Sequence, residues 1–133
     1  MAARSIIATG IAGGRGSKRS PGASPPTESM RRGEIWWARL DLPAGRRPVV
    51  LVSRDAAYAI RQSITVAEIS TVIRVIPSEV TLGRRDGMPR TCVINTDNLM
   101  TIPKALLESK LVSLSSTKAD ELDAALRFSL GLP

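Results

Sequence analysis

A succession of short β-forming segments, each ended by turn-forming residues, limits the possible folds more than any other feature of this chain. The segments are Glu34–Leu40, Pro48–Ser53, Ser63–Ser70, Glu79–Leu82, Arg90–Ile94, Leu99–Ile102 and Lys110–Leu114. Pro48–Ser53 (PVVLVS) is an almost unbroken apolar run, which is typical of a strand buried on both faces. Many short strands separated by turns predict a small, strongly bent β-barrel or sandwich.

One segment near the C-terminus has the pattern of a longer helix. Ser116 or Thr117 is expected to cap it, and it runs to about Leu130. An apolar stripe is expected to pack on the barrel, formed by Ala119, Leu122, Leu126 and Leu130. Arg54–Gln62 is predicted to be a helical turn or an ordered loop, and Pro103–Ser109 is predicted to be a short helix with Pro103 at its first position. The predicted fold class is therefore mainly β with a C-terminal helix.

The first 29 residues differ from the rest of the chain. They are rich in Gly, Ala, Ser and Pro, and their apolar run is too short and interrupted to span a membrane. This composition predicts a disordered extension, or a start codon assigned too early, and an organelle transit peptide is the alternative. Met30 opens a sharply different sequence, so we predict one domain over residues 30–133.

The charge of the chain points to a polyanionic partner. Lys and Arg number 19 against 12 Asp and Glu, which gives a formal net charge of +7. Eleven of the 15 basic residues that follow residue 29 lie between Arg31 and Arg90. We therefore expect a phosphate-bearing ligand to bind the first two-thirds of the domain. Aromatic residues make up only 3%, too few to read nucleic acid mainly by base stacking.

The chain has no His and a single Cys, Cys92. It therefore lacks the residues for His-based acid–base catalysis, for His metal sites and for a Cys-rich zinc site. Cys92 is expected to be a small apolar residue of a buried strand. Because no internal disulfide can form, a reducing compartment such as the cytoplasm is expected.

Five segments, in order, carry a resemblance to a known family. Residues 30–36 (MRRGEIW) followed by Arg46–Ser53 (RRPVVLVS) resemble the opening of the MazF/PemK/Kid family of toxin endoribonucleases. Residues 67–71 (AEIST), 76–80 (IPSEV) and 92–98 (CVINTDN) with 101–104 (TIPK) resemble its later strands, and residues 129–132 end its C-terminal helix. The resemblance covers about residues 30–132.

This resemblance implies a homodimeric, SH3-like barrel that cuts single-stranded RNA without a metal or another cofactor. Members of the family cut mostly mRNA, in some cases tRNA or rRNA, and leave a 2′,3′-cyclic phosphate and a 5′-hydroxyl. An antitoxin, MazE/PemI-like or of another class, covers the RNA groove. The implied protein is cytoplasmic and is not bound to a membrane.

Four residues are the candidates for catalysis. Arg47 stands before a buried strand, and its planar guanidinium suits two phosphate oxygens; the resemblance puts the family's catalytic Arg here. Ser70 and Thr71 end a strand and have hydroxyls that can contact the scissile phosphate. Asp97 matches an acidic position that some members use, either as the base or to orient Arg47. Asp97 also lies in a segment, residues 95–98, whose residue types favour a turn, so a purely structural role is the alternative.

Six further residues are the candidates for RNA binding: Arg46, Arg74, Arg84, Arg85, Asn95 and Asn98. Some members of the family carry a second Arg where this chain has Asn95. The loop Asp41–Arg46 is shorter than in many relatives, which implies a more open groove. Trp36 and Trp37 are expected on opposite faces of a strand; one is core, and the other is expected on the C-terminal helix, with the dimer interface or the ligand as alternatives.

Two other functions remain compatible with the sequence. One is a CcdB-like gyrase-inhibiting toxin, which gives no role to Arg47 and produces no RNA fragments. The other is an inactive relic that still binds RNA or an antitoxin. The pair of hydroxyls at Ser70 and Thr71 and the Arg46–Pro48 segment favour the nuclease.

Overall fold

A computed structural model of the chain describes residues 30–40 and 45–133. The predicted N-terminal extension and most of the short loop after β1 lie outside the described residues. In the described part, the elements are β1 (Glu34–Arg39), β2 (Arg46–Leu51), α1 (Ala57–Ile60), β3 (Ser63–Ser70), β4 (Glu79–Leu82), β5 (Cys92–Pro103), β6 (Leu107–Ser113) and α2 (Ser116–Leu130). Single 3-10 turns occupy Arg84–Asp86 and Lys104–Leu106.

The strands form one antiparallel sheet with the order β4-β5-β3-β2-β1-β6. The sheet bends into a half-barrel, and α2 packs against β4 and β5. The predicted class, a small SH3-like β structure with a C-terminal helix, is confirmed.

The bent sheet buries side chains on both of its faces. Val50 joins a core cluster with residues of α2, whereas Val49 and Leu51 join a second cluster with α1. All three are fully buried, as the apolar run predicts. Consecutive strand residues point to opposite faces, so β2 contributes to both clusters. This central strand is therefore held rigidly.

Several predicted element boundaries are wrong. The strand predicted at Pro48–Ser53 begins at Arg46, so both arginines lie within β2. The two strands predicted around residues 95–98 are one strand, β5. The helix predicted at Pro103–Ser109 is only a 3-10 turn, because β6 already pairs with β1 from Leu107. The cap of α2 is Ser115, whose Oγ accepts a hydrogen bond from the Lys118 amide.

A bulge bends β5 where a break was predicted. Ala67 of β3 pairs with Leu99, whereas the next residue, Glu68, pairs with Asn95. The intervening residues 96–98 are therefore extra residues of β5. Thr96 is buried in the bulge, and its Oγ1 donates a hydrogen bond of 2.6 Å to the Ser78 carbonyl.

The apolar stripe of α2 is shorter than predicted. Leu122, Ala125 and Leu126 are buried against the sheet. Leu130 is 56% exposed, because it lies at the end of the helix beyond the sheet. In the described part of the chain, no helix is both long and apolar enough to cross a membrane.

Candidate active site at one end of the sheet

The ends of three neighbouring interior strands, β2, β3 and β5, lie together at one end of the sheet. They form a cleft of about 420 Å³. Because β3 is antiparallel to both of its neighbours, its C-terminal end lies beside the first residues of β2 and of β5. The residues lining the cleft include Arg46 and Arg47 from β2, Ser70 and Thr71 from the end of β3, and Arg90 just before β5. The fold thus brings together four of the ten predicted site residues.

Arg47 lies within β2, opposite Ala38 of β1. On its other side, Val49 pairs with Glu68 of β3. Continuing this antiparallel register by two residues places Arg47 opposite Ser70. The backbone at Arg47 is therefore fixed by its pairing with β1, while its side chain is exposed. A guanidinium and a hydroxyl at adjacent positions can bind one phosphate group together.

Arg46 has different surroundings from its neighbour Arg47. Its guanidinium carbon lies 4.3 Å from the ring centroid of Trp37, which is within the range of a cation–π contact. Its Nε donates a 2.7 Å hydrogen bond to Glu108, and Arg39 donates a second one of 2.9 Å to the same carboxylate. Part of the positive charge of Arg46 is therefore balanced within the protein.

The two arginines also affect Glu108 itself. Its partial burial raises the pKa of the carboxyl, but the hydrogen bonds and charges of Arg46 and Arg39 outweigh this effect and lower the pKa overall. Glu108 is thus ionised at neutral pH and fixes the position of Arg46 at the cleft.

The two candidate hydroxyls differ in exposure. Ser70 is half-buried, and its Oγ accepts a 3.0 Å hydrogen bond from the Val72 amide. Accepting this bond leaves the hydroxyl proton available for a ligand, since a serine hydroxyl both donates and accepts. Thr71 follows outside the strand and is exposed. Both hydroxyls line the cleft.

The floor of the cleft is apolar. Ile69, Met88 and Cys92 belong to the core cluster under α2 and are at most 4% exposed. Burial raises the pKa of the Cys92 thiol, so Cys92 is the small apolar residue that was predicted. Trp36 is core, but Trp37 lies in the cleft under Arg46 and not on the C-terminal helix. Trp37 therefore packs at the candidate cleft, and its contact with a ligand or with the dimer interface stays a prediction.

Asp97, Asn95 and Asn98 lie in or beside the bulge of β5 and do not line the cleft. The Asp97 carboxylate accepts a 2.6 Å hydrogen bond from the Ser78 hydroxyl. The Asn95 side chain accepts from the Asp97 amide, and Asn98 donates to Glu68 at 2.7 Å. Within the bulge, these three side chains form hydrogen bonds with nearby residues. Asp97 therefore does not lie in the cleft that contains Arg47.

The remaining predicted arginines also lie outside the cleft. Arg74 is in the loop between β3 and β4, where its guanidinium lies 3.5 Å from the Glu79 carboxylate. Arg84 and Arg85 are exposed on a 3-10 turn after β4. Their predicted contact with RNA phosphates stays a prediction.

Sequence reasoning missed Arg90, Glu108 and the role of Trp37 at the cleft. A signal for Arg90 was present, since it opens a predicted β segment, whereas Arg47 was expected to stand just before one. Glu108 gave no signal, because it was predicted to lie in a helix. In the described residues, no group of three or more His, Cys, Asp or Glu side chains is placed to hold a metal ion.

The fold and the cleft define a small β-barrel protein whose site is built for a phosphate-bearing chain. Arginines line its rim, hydroxyls lie at its centre and apolar side chains form its floor.

Comparison with known proteins specifies this class further. Residues 31–130 match the family of PemK-like, MazF-like toxins of type II toxin–antitoxin systems, and the chain belongs to this family.

Three relatives illustrate the similarity. The chain is 38% identical over 96 residues to a probable endoribonuclease MazF5 of Mycobacterium tuberculosis, which covers 71% of this chain and 87% of that protein. It is 33% identical over 103 residues to a probable endoribonuclease MazF2 of the same species, over 77% and 99% of the two chains. A mycobacterial endoribonuclease solved in complex with its cognate antitoxin superposes with a TM-score of 0.71 at 28% identity, over 79% and 98% of the two chains.

Proposed function

We propose that this toxin is an endoribonuclease that cuts single-stranded RNA, most often mRNA, in the cytoplasm and without a metal ion. The observation that carries the proposal is the cleft that unites Arg47, Ser70 and Thr71 in a member of the PemK/MazF-like family. The curated relatives are named as endoribonucleases.

The proposed reaction is an internal transesterification. The 2′-oxygen of a ribose attacks the adjacent phosphorus and loses its proton, and the bond from phosphorus to the 5′-oxygen of the next nucleotide breaks. Arg47 stabilises the charge on the phosphorane oxygens, and the hydroxyl of Ser70 or Thr71 donates a hydrogen bond to the same group. The 5′-oxygen takes up a proton from water as it leaves, so the products are a 2′,3′-cyclic phosphate and a 5′-hydroxyl.

The proton acceptor in this proposal is Asp97, as predicted from the sequence, or a group of the RNA. Asp97 is held by Ser78 outside the cleft. A variant Asp97→Asn separates the two possibilities. If Asp97 is the base, cleavage falls while RNA binding is kept; if the RNA supplies the base, cleavage is maintained.

The test is cleavage of a long RNA by the full-length protein in EDTA, with mapping of the 3′ ends for cyclic phosphate. Arg47→Ala should slow cleavage by at least about 100-fold, since it removes the main stabiliser of the phosphorane charge. Arg61→Ala is the matched control, because Arg61 is exposed after α1 and does not line the cleft. Intact RNA with folded wild-type protein would refute the nuclease and favour gyrase inhibition or an inactive relic.

We further propose that the toxin forms a homodimer and is neutralised by a cognate antitoxin. Support comes from apolar side chains that are more than half exposed on the loop after β3 and at the end of α2: Val72, Val75, Phe128, Leu130 and Leu132. Side chains of this kind are commonly buried in interfaces. Sedimentation should give twice the chain mass of 14.3 kDa, and a monomer at micromolar concentration would refute the homodimer.

A further inference from the structure

Arg90 lies on the opposite side of the cleft from Arg47. The end of β3 lies between them, because β3 separates β2 from β5 in the sheet. Neighbouring strands are about 4.8 Å apart, so the backbones of β2 and β5 are separated by about 10 Å. An RNA strand that crosses the end of β3 would therefore meet Arg47 on one side and Arg90 on the other.

The loop that carries Arg90 is fixed to the core. Met88, two residues earlier, is only 4% exposed and belongs to the cluster under α2. Gly87 has φ +87° and packs so closely on β6 that a Cβ there would lie 2.9 Å from Val112. Cys92, two residues later, begins β5 and is buried. Arg90 is thus an exposed side chain on an anchored backbone.

The charge of Arg90 is not balanced locally. Its guanidinium makes no ion pair or hydrogen bond with any residue that the structure describes. Arg46, on the same cleft, is hydrogen-bonded to Glu108 and stacked on Trp37. A ligand phosphate near Arg90 therefore gains a charge-assisted hydrogen bond without breaking an existing one.

We propose that Arg90 is a phosphate-binding residue that holds the RNA backbone at a phosphate next to the one that Arg47 contacts. This inference rests on the proposed function, because it assigns a second contact for the same substrate. In this arrangement Arg90 positions the strand across Ser70 and Thr71, while Arg47 acts on the phosphate that is cut.

The test measures binding of a fluorescent, mixed-sequence 2′-O-methyl RNA, which cannot be cut because its 2′-oxygens are blocked. Full-length wild-type protein is compared with Arg90→Ala, Arg90→Lys and the control Arg61→Ala at several salt concentrations. Arg90→Ala should weaken binding about tenfold and should reduce the slope of log K against log salt by about 0.7. Arg90→Lys should keep the wild-type slope, because it keeps the charge.

The outcomes separate this inference from the proposed function. Wild-type affinity and slope in Arg90→Ala would overturn the role of Arg90, whatever the cleavage assay shows. If Arg90→Ala shows the expected loss of binding but the wild type leaves natural RNA uncut, the role of Arg90 is supported and only the nuclease is refuted. An equal loss in Arg61→Ala would show a general charge effect and would also overturn the inference.

Discussion

The two adjacent arginines of β2 have different tasks, although they are chemically identical. Arg46 shares the Glu108 carboxylate with Arg39 and stacks on Trp37. Arg47, one position on, lines the same cleft with Ser70 and Thr71 from the end of β3. Consecutive side chains leave a strand on opposite faces, so Arg47 does not share the contacts of Arg46. Arg46 is thus held against Trp37 and Glu108, whereas Arg47 reaches the cleft from the other face at the strand end.

Glu108 should make the stability of the fold depend on pH. Because the arginines lower its pKa in the folded state, ionised Glu108 stabilises the fold above its ordinary pKa of about 4.3, and this stabilisation is lost as the pH falls below that value. The group is partly exposed, so the contribution is at most about 1 kcal/mol.

Urea unfolding of wild type and Glu108→Gln measures this contribution. The wild type should be more stable at pH 7 by up to about 1 kcal/mol, and this difference should shrink as the pH falls below the ordinary pKa of Glu, about 4.3. Glu121→Gln is a control, because Glu121 is exposed and lies 3.5 Å from a single lysine. A difference for Glu108→Gln that stays constant from pH 7 to pH 3 would contradict the ionic origin.

The choice between Ser70 and Thr71 can be decided by single substitutions. Ser70 is half-buried at the strand end and accepts a hydrogen bond from the Val72 amide, so its hydroxyl is held more firmly than that of exposed Thr71. We expect Ser70→Ala to slow RNA cleavage about tenfold or more and Thr71→Ala to slow it less, since a hydrogen bond to a charged group contributes about 1.5–3 kcal/mol. A larger effect of Thr71→Ala would reverse the assignment. Cleavage rates in EDTA measure both.

The elements of the sheet show which structural features local sequence determines. Ser63–Ser70 and Glu79–Leu82 have the predicted boundaries, because their β-forming residues are flanked by turn or loop residues. The bulge in β5 and the early start of β6 were not predicted, because pairing with β3 and β1 determines them.

The candidate site, like the sheet, was predictable only where local sequence determines it. Arg46, Arg47, Ser70 and Thr71 lie close to one another, as each flanks or ends a recognisable β segment. Arg90 joins them only because the antiparallel order places the start of β5 beside the end of β3. No local sequence pattern reveals the order of the strands in the sheet.

The bulge of β5 should depend on the buried hydroxyl of Thr96. Thr96→Val removes the hydrogen bond to the Ser78 carbonyl and should lower the free energy of unfolding by about 1–2 kcal/mol, because the isosteric valine cannot donate it. Thr101→Val on the same strand is the matched control. Its exposed hydroxyl contacts only Thr65 at 3.2 Å among the described residues, so the change should stay within about 0.5 kcal/mol. Equal effects in urea titrations would argue against a structural role for the bulge.

The distribution of charge along the chain separates RNA attraction from RNA cutting. Residues 1–29 hold four basic residues and one acid, whereas residues 30–133 hold 15 basic and 11 acidic residues. All the cleft residues that the structure describes belong to the second part. The first part can therefore add affinity for any polyanion without taking part in the chemistry.

Shortening the chain tests this separation. A protein that starts at Met30 should keep the unfolding midpoint and the cut sites of the full-length chain, because it keeps Met30, which is only 3% exposed and belongs to a core cluster with Trp36. Its affinity for mixed-sequence RNA should be lower and less dependent on salt, since three net positive charges are lost.

A longer deletion provides the control for the domain boundary. Removal of residues 2–32 also deletes the buried side chain of Met30 and the ion pair of 2.7 Å between Arg32 and Asp123 on α2. It should lower the free energy of unfolding by at least about 2 kcal/mol. If the protein starting at Met30 is destabilised as much as this longer deletion, the folded domain begins before Met30. If its cut sites change, the first 29 residues take part in selecting the RNA as well as in attracting it.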